Sequence, residues 1–113
     1  MPFIDLKITE KLTEEKKEKL KSEFGKNINI LHKPESYLMV GIADGYSLYF
    51  AGKKLEKGAF VSVSLFGRTN PADCEKMTSA LCRILKDETG IDGASVYVTY
   101  QGISDWGFDG ENF

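Results

Sequence analysis

The same order of predicted elements occurs twice along the chain: a strand, a helix and a second strand. In the first unit, Pro2–Ile8 alternates apolar and polar residues like a half-buried strand, and Ser36–Ile42 is a short apolar run. In the second, Ala59–Phe66 alternates in the same way and Ser95–Tyr100 is rich in β-branched and aromatic residues. Strands joined through a helical crossover pair in parallel. The sequence therefore predicts an α+β fold, in which two β-α-β units form a four-stranded mixed sheet with both helices on one face.

Capping residues and apolar periodicity predict the two helices. The first follows Thr13, a good N-cap residue, and the second follows Asn70 and ends before Gly90, which is typical of a helix C-terminus. The buried stripes are predicted at Leu20, Phe24 and Ile28 in the first helix and at Met77, Leu81, Ile84 and Leu85 in the second.

Length and charge narrow the class of protein. A chain of 113 residues can bury one core without staples, so residues 1–113 are predicted to form a single domain. The formal net charge of −2 gives no reason to expect a nucleic-acid partner. No segment is long and apolar enough to span a membrane, and the N-terminus does not look like a signal peptide, so the expected location is cytoplasmic.

Cysteine and histidine, the usual zinc ligands, are few in this chain and are not spaced as in a metal site. Cys74 and Cys82 are eight positions apart on one predicted helix, which matches neither a redox pair nor a zinc site. His32 has no Cys or second His at ligand spacing. We therefore expect no metal, no cofactor and two free thiols.

The number of apolar residues exceeds what one layer of helices can cover. Seven residues of the predicted strands cannot all face the helices, namely Tyr37, Met39, Val61, Val63, Tyr97, Val98 and Tyr100. The last eight residues also contain Trp106, Phe108 and Phe113, although a free terminus is usually polar. A contiguous apolar surface of this kind predicts homo-oligomerisation.

Four landmarks occur along the chain in a characteristic order. They are Met1-Pro2 before the first strand, Lys33-Pro34 before the second, Ser64–Gly67 at the end of the third, and Trp106–Phe113 at the end of the chain. With the order of elements, they resemble the macrophage migration inhibitory factor and D-dopachrome tautomerase family of the tautomerase superfamily over essentially the whole chain. The resemblance implies a homotrimer whose sheets line a central channel, with three sites at the subunit interfaces.

The resemblance also implies roles for residues near the start of the chain. In that family the initiating Met is removed and the exposed proline nitrogen is the catalytic base, which falls on Pro2. The lysine that binds the substrate carboxylate falls on Lys33, with Tyr37 four residues further on. A main-chain substrate contact falls on Phe66, where the family more often has an aliphatic residue.

The remaining implied contacts lie in the last strand and the C-terminal segment. The aromatic wall of the site falls on Trp106, Phe108 and Phe113, and a tyrosine supplied by a neighbouring subunit falls on Tyr97. Two residues after it, Thr99 replaces an asparagine that provides a polar contact in the family. The family's CxxC motif is missing from Lys57–Ser62, so no thiol oxidoreductase activity is expected.

An N-terminal proline fits this chemistry on physical grounds. Its secondary amine has an ordinary pKa of about 8, and an apolar pocket lowers that pKa toward neutrality. Such a base can interconvert the keto and enol forms of a small aromatic 2-oxo acid such as phenylpyruvate. The alternatives are a cytokine-like module that binds a protein receptor, exported without a signal peptide, and a ferredoxin-like ligand-sensing domain without catalysis.

Overall fold

The computed structural model describes every residue from Met1 to Phe113. The strands are β1 (Pro2–Ile8), β2 (Met39–Ala43), β3 (Tyr49–Phe50), β4 (Lys53–Lys54), β5 (Ala59–Phe66), β6 (Val96–Ile103), β7 (Gly107–Phe108) and β8 (Glu111–Asn112). The helices are α1 (Glu14–Asn27) and α2 (Pro71–Thr89), with short 3₁₀ turns at Ile28–Leu31, Glu35–Tyr37 and Gly93–Ser95. No helix is both long and apolar enough to cross a bilayer.

The main sheet confirms the predicted fold class. Its strand order is β2-β1-β5-β6, with parallel pairs β1–β2 and β5–β6 and an antiparallel pair β1–β5. The second strand begins at Met39 rather than Ser36, because Glu35–Tyr37 forms a 3₁₀ turn. The two hairpins, β3–β4 and β7–β8, are additional to the predicted elements.

Both helices cover the same face of the sheet, as predicted. The alternation of β1 and β5 is complete, because every second residue is buried along each strand. The regular helix α1 ends at Asn27, one residue before the predicted Ile28, which instead begins a buried 3₁₀ turn. The core consists of strand and helix residues that include Ile4, Leu6, Ile8, Leu20, Phe24, Val61, Val63, Leu65, Met77, Leu81, Ile84 and Leu85.

The N-terminus of α2 depends on one side chain. Asn70 Oδ1 accepts hydrogen bonds from the backbone N–H groups of Ala72 (3.0 Å) and Asp73 (3.2 Å). We expect Asn70→Ala to lower the free energy of unfolding by about 1 kcal/mol, because two helical donors lose their partner. Urea denaturation measures the change, with Thr69→Ala as the neighbouring control. Equal stability of the two variants would contradict this role for Asn70.

The uncovered face of the sheet corrects one expectation. Its centre is polar: Ser62 Oγ donates to Gln101 Oε1 at 3.1 Å, and Gln101 Nε2 donates to Thr99 Oγ1 at 2.9 Å. An ion pair of 3.0 Å joins Lys7 to Asp5. The expectation of a continuous apolar surface is therefore wrong for the centre of this face.

Some of the apolar residues assigned to that surface face the helices instead. Val61 and Val63 are fully buried. The Tyr100 hydroxyl lies 2.8 Å from Thr78 Oγ1 of α2, and burial raises the pKa of Tyr100 to about 12 despite this hydrogen bond. The large apolar side chains that remain exposed lie toward the two ends of the sheet, Met39 at one end and Tyr97 at the other.

Candidate active site

A cleft of about 700 Å³ opens where β1 begins and β5 ends. Most of its lining is apolar, and it includes Pro2, Phe3, Tyr37, Met39, Trp106 and Phe108. The two β-α-β units each contain a parallel strand pair, and they join through the antiparallel pair β1–β5. This arrangement brings the start of β1, the end of β5 and the end of β6 to the same end of the sheet. The topology therefore assembles the cleft from segments that are far apart in the sequence.

Pro2 is one of the residues that line this cleft. It is buried and stands opposite Leu65 in the β1–β5 register. Met1 continues the pairing, because its carbonyl oxygen accepts a 3.0 Å hydrogen bond from the Phe66 N–H. Burial, followed by the positive charge of Lys33, lowers the pKa of the Met1 amine from its ordinary value. Lys33 is therefore electrostatically coupled to the start of the chain.

Lys33 is held beside the end of β5. Its Nζ donates to the Phe66 carbonyl oxygen at 2.9 Å. The preceding residue, His32, adopts a left-handed backbone conformation (φ 58°), and its Nε2 lies 3.2 Å from Asp73 Oδ2 of α2. The loop before β2 is thus attached to α2 while its lysine points to the Phe66 main chain.

Four of the predicted aromatic residues form a row of neighbouring rings, of which Tyr37 and Phe108 line the cleft. The Phe66 and Phe113 ring centroids are 5.3 Å apart, those of Phe113 and Phe108 6.4 Å, and those of Phe108 and Tyr37 6.0 Å. The C-terminal segment is ordered as the β7–β8 hairpin, which the hydrogen bond from the Phe113 N–H to the Trp106 carbonyl closes at 3.0 Å.

The end of β5 is also attached to the end of β6. Gly67 N–H donates to the Ile103 carbonyl at 2.9 Å, and Gly67 has a φ of +100°. A Cβ atom at Gly102 would lie inside van der Waals contact of the Gly67 carbonyl oxygen. The close approach requires glycine at position 102, and the positive φ favours glycine at position 67.

The other two predicted site residues lie away from Pro2. Tyr97 pairs with Phe60, whereas Pro2 pairs with Leu65, a separation of five positions along β5. That separation is about 17 Å at the usual rise of a strand. Tyr97 packs on Phe50 with ring centroids 5.5 Å apart. Thr99 accepts the hydrogen bond from Gln101 on the uncovered face. One chain therefore groups seven of the nine predicted site residues at one end and leaves these two apart.

Several residues that line the cleft are additional to the sequence prediction, among them Ser64, Ile103 and Asp105. Ser64 shares the uncovered face with Ser62 and precedes Phe66 by two positions, so strand periodicity was a usable signal for it. Ile103 and Asp105 have no such signal, because Ile103 reaches the cleft through the β5–β6 register and Asp105 lies in the segment after β6. No cluster of three or more His, Cys, Asp or Glu side chains is arranged to hold a metal ion.

The protein belongs to the tautomerase superfamily, whose macrophage migration inhibitory factor structures share its two β-α-β units in one mixed sheet. Within it, the chain belongs to the macrophage migration inhibitory factor (MIF) family, whose sequence model it matches over residues 1–113. No curated protein sequence matches the chain.

Solved structures agree with this assignment. The chain is similar to MIF2 of Leishmania major, with 28% identity and a TM-score of 0.93 over 100% of this chain and 97% of that chain. It is similar to the MIF-like protein of Entamoeba histolytica, with 24% identity and a TM-score of 0.89 over 99% and 98%. A structure described as the Q0 fused 4-OT wild type symmetric trimer shares the fold, with 18% identity and a TM-score of 0.85 over 97% and 94%.

Proposed function

We propose that this protein is a cofactor-independent keto-enol tautomerase of aromatic 2-oxo acids, with the Pro2 amine as general base once Met1 is removed. One observation carries the proposal: Pro2 is buried and lines a largely apolar cleft, next to Met1, whose carbonyl accepts from the Phe66 N–H while Lys33 Nζ donates to the Phe66 carbonyl. Family membership supports the reaction class.

The surroundings of Pro2 favour a free amine at neutral pH. The pKa of the Met1 amine is already lowered by burial and by Lys33. After removal of Met1, the new amine is one residue deeper in the cleft, on a residue that is itself buried. We expect the same two effects at the Pro2 nitrogen after Met1 is removed, since a positive neighbour and desolvation both disfavour a protonated amine. An unprotonated secondary amine can accept a proton from carbon.

Removal of Met1 also changes the main chain of Phe66. The Phe66 N–H now donates to the Met1 carbonyl, and this hydrogen bond disappears with Met1. The freed N–H and Lys33 Nζ, which already contacts the Phe66 carbonyl, are then two neighbouring donors. Together they suit a carboxylate, because a hydrogen bond to a charged group is stronger than a neutral one.

A 2-oxo acid held by these donors places its reactive carbon toward Pro2. The Pro2 amine accepts a proton from C3 of the keto form and returns it to the 2-oxo oxygen, which yields the enol. The reverse order of steps converts the enol to the keto form. The aromatic group on C3 contacts the cleft wall that Tyr37, Trp106 and Phe108 provide.

We propose further that the protein is a homotrimer in which a neighbouring copy supplies Tyr97. Tyr97 is 61% exposed and lies far from Pro2 within one chain, although it is a predicted substrate contact. A symmetric trimer is described for one protein of the same fold. Sedimentation equilibrium tests the assembly, and a monomeric mass would contradict it and favour a ligand-sensing domain.

The direct test of the proposed function is an ultraviolet assay of phenylpyruvate enol-keto conversion. The sample is protein whose N-terminal Pro2 has been verified by mass spectrometry. We expect turnover above the buffer-catalysed rate. A correctly assembled trimer without turnover would overturn the proposed activity and favour the protein-binding alternative.

A further inference from the structure

The ring of Phe66 has no role in the proposed chemistry, which uses only the main chain of this residue. Its side chain is partly buried at the end of β5 and packs on Phe113 with centroids 5.3 Å apart and ring planes 39° apart. Phe113 in turn lies nearly parallel to Phe108, at 6.4 Å and 6°. Phe66 is therefore the end of the aromatic row that is attached to the main sheet.

The opposite end of the row is attached as well. Tyr37 lies in the 3₁₀ turn before β2 and meets Phe108 edge to face, at 6.0 Å and 89°. The two middle rings, Phe113 and Phe108, belong to the C-terminal segment, where β7 and β8 share only two residue pairs. A hairpin this short has little stability of its own. The position of the hairpin beside the cleft thus depends on the contact of Phe113 with Phe66 and on that of Phe108 with Tyr37.

Phe108 transmits this dependence to the cleft, since it lines the cleft while Phe66 does not. A 2-oxo acid is short, so a carboxylate at Lys33 and the Phe66 N–H keeps the C3 substituent within reach of these rings. Aryl groups gain more than alkyl groups from such contacts, because aromatic pairs add an interaction beyond the area they bury.

We propose that Phe66 is a positioning residue that makes the site selective for aryl over alkyl 2-oxo acids, by holding Phe113 and Phe108 against the cleft. This inference rests on the proposed function and specifies its substrate preference. It assigns a role to the Phe66 side chain that is separate from the main-chain contact with substrate.

The test compares kcat/KM for phenylpyruvate and for 4-methyl-2-oxopentanoate in the Met1-free protein. We expect Phe66→Leu to reduce the aryl-to-alkyl ratio of kcat/KM roughly 3- to 10-fold, the size of an aromatic pair contact. Tyr46→Leu is the matched control, because Tyr46 follows β2 at the end of the sheet far from Pro2, where its backbone N–H donates to the Ile8 carbonyl. Its ratio should equal that of the unmodified protein.

A double variant tests whether Phe66 influences substrate preference through Phe113. If Phe66 acts through Phe113, then Phe66→Leu with Phe113→Leu should reduce the ratio no further than Phe113→Leu alone. An equal loss for both substrates in Phe66→Leu would overturn the inference in favour of a general structural role. An unchanged ratio would also overturn it, and the proposed function would stand. Absence of turnover with either substrate in the unmodified trimer would overturn both.

Discussion

Protein that has lost Met1 is expected to turn over phenylpyruvate about 10²- to 10⁴-fold faster than protein that retains it, the usual contribution of a general base. With Met1 in place, the Pro2 nitrogen is a tertiary amide without a proton or useful basicity. The Met1 carbonyl also accepts the hydrogen bond of the Phe66 N–H at 3.0 Å. Met1 therefore blocks both the proposed base and a proposed donor to the substrate carboxylate. The measurement is kcat/KM before and after treatment with methionine aminopeptidase, with mass spectrometry on both samples.

The two forms should be alike in every other respect. Met1 pairs with the last residue of β5 and is not part of the buried core, so its loss leaves the packing of the sheet and helices unchanged. Equal sedimentation and similar melting temperatures are therefore the required controls. Equal catalytic rates in both forms would eliminate the Pro2 amine as the base.

Lys33→Ala is expected to raise the KM for phenylpyruvate roughly 10- to 150-fold, the equivalent of a charge-assisted hydrogen bond of about 1.5–3 kcal/mol. The value of kcat should change much less, because binding of the carboxylate contributes equally to the ground state and the transition state. Steady-state kinetics in the Met1-free background measures both constants.

The structural loss in this variant is small by comparison. Lys33 Nζ makes one hydrogen bond within the chain, to the Phe66 carbonyl, so stability should fall by only about 0.5–1.5 kcal/mol. Lys54→Ala is the matched control, because Lys54 is exposed on β4, outside the cleft. An unchanged KM in Lys33→Ala would remove Lys33 from the substrate contacts.

The parts of the fold that repeat over many residues could be predicted. β1 and β5 alternate over their full lengths, and α2 carries a cap, a proline and an apolar stripe that agree with one another. The two hairpins could not be predicted in this way, because strands of two residues show no periodicity. The polar centre of the uncovered face depends on which face each strand residue occupies, and for β2 and β6 the register with β1 and β5 decides this.

The residues of the candidate site could also be predicted in part, whereas their contacts could not. Pro2, Lys33 and the C-terminal aromatics could be named from landmarks in the sequence. Their contacts could not, because the bond from Phe66 to Met1 and the packing of Phe66 on Phe113 depend on the antiparallel β1–β5 register and on the path of the last ten residues. Tertiary placement, which no local pattern encodes, supplies these interactions.

The close contact between Gly102 and the Gly67 carbonyl limits how this protein can evolve or be engineered. Even alanine at Gly102 would displace the Gly67 carbonyl, and the Gly67 backbone cannot retreat while its N–H is bonded to Ile103. Any displacement reaches Phe66, the neighbour of Gly67 in the chain. Saturation mutagenesis should therefore find position 102 intolerant, whereas exposed Arg68 nearby should accept many residues. New substrate preferences are best sought in the rings that line the cleft and not in the backbone that supports them.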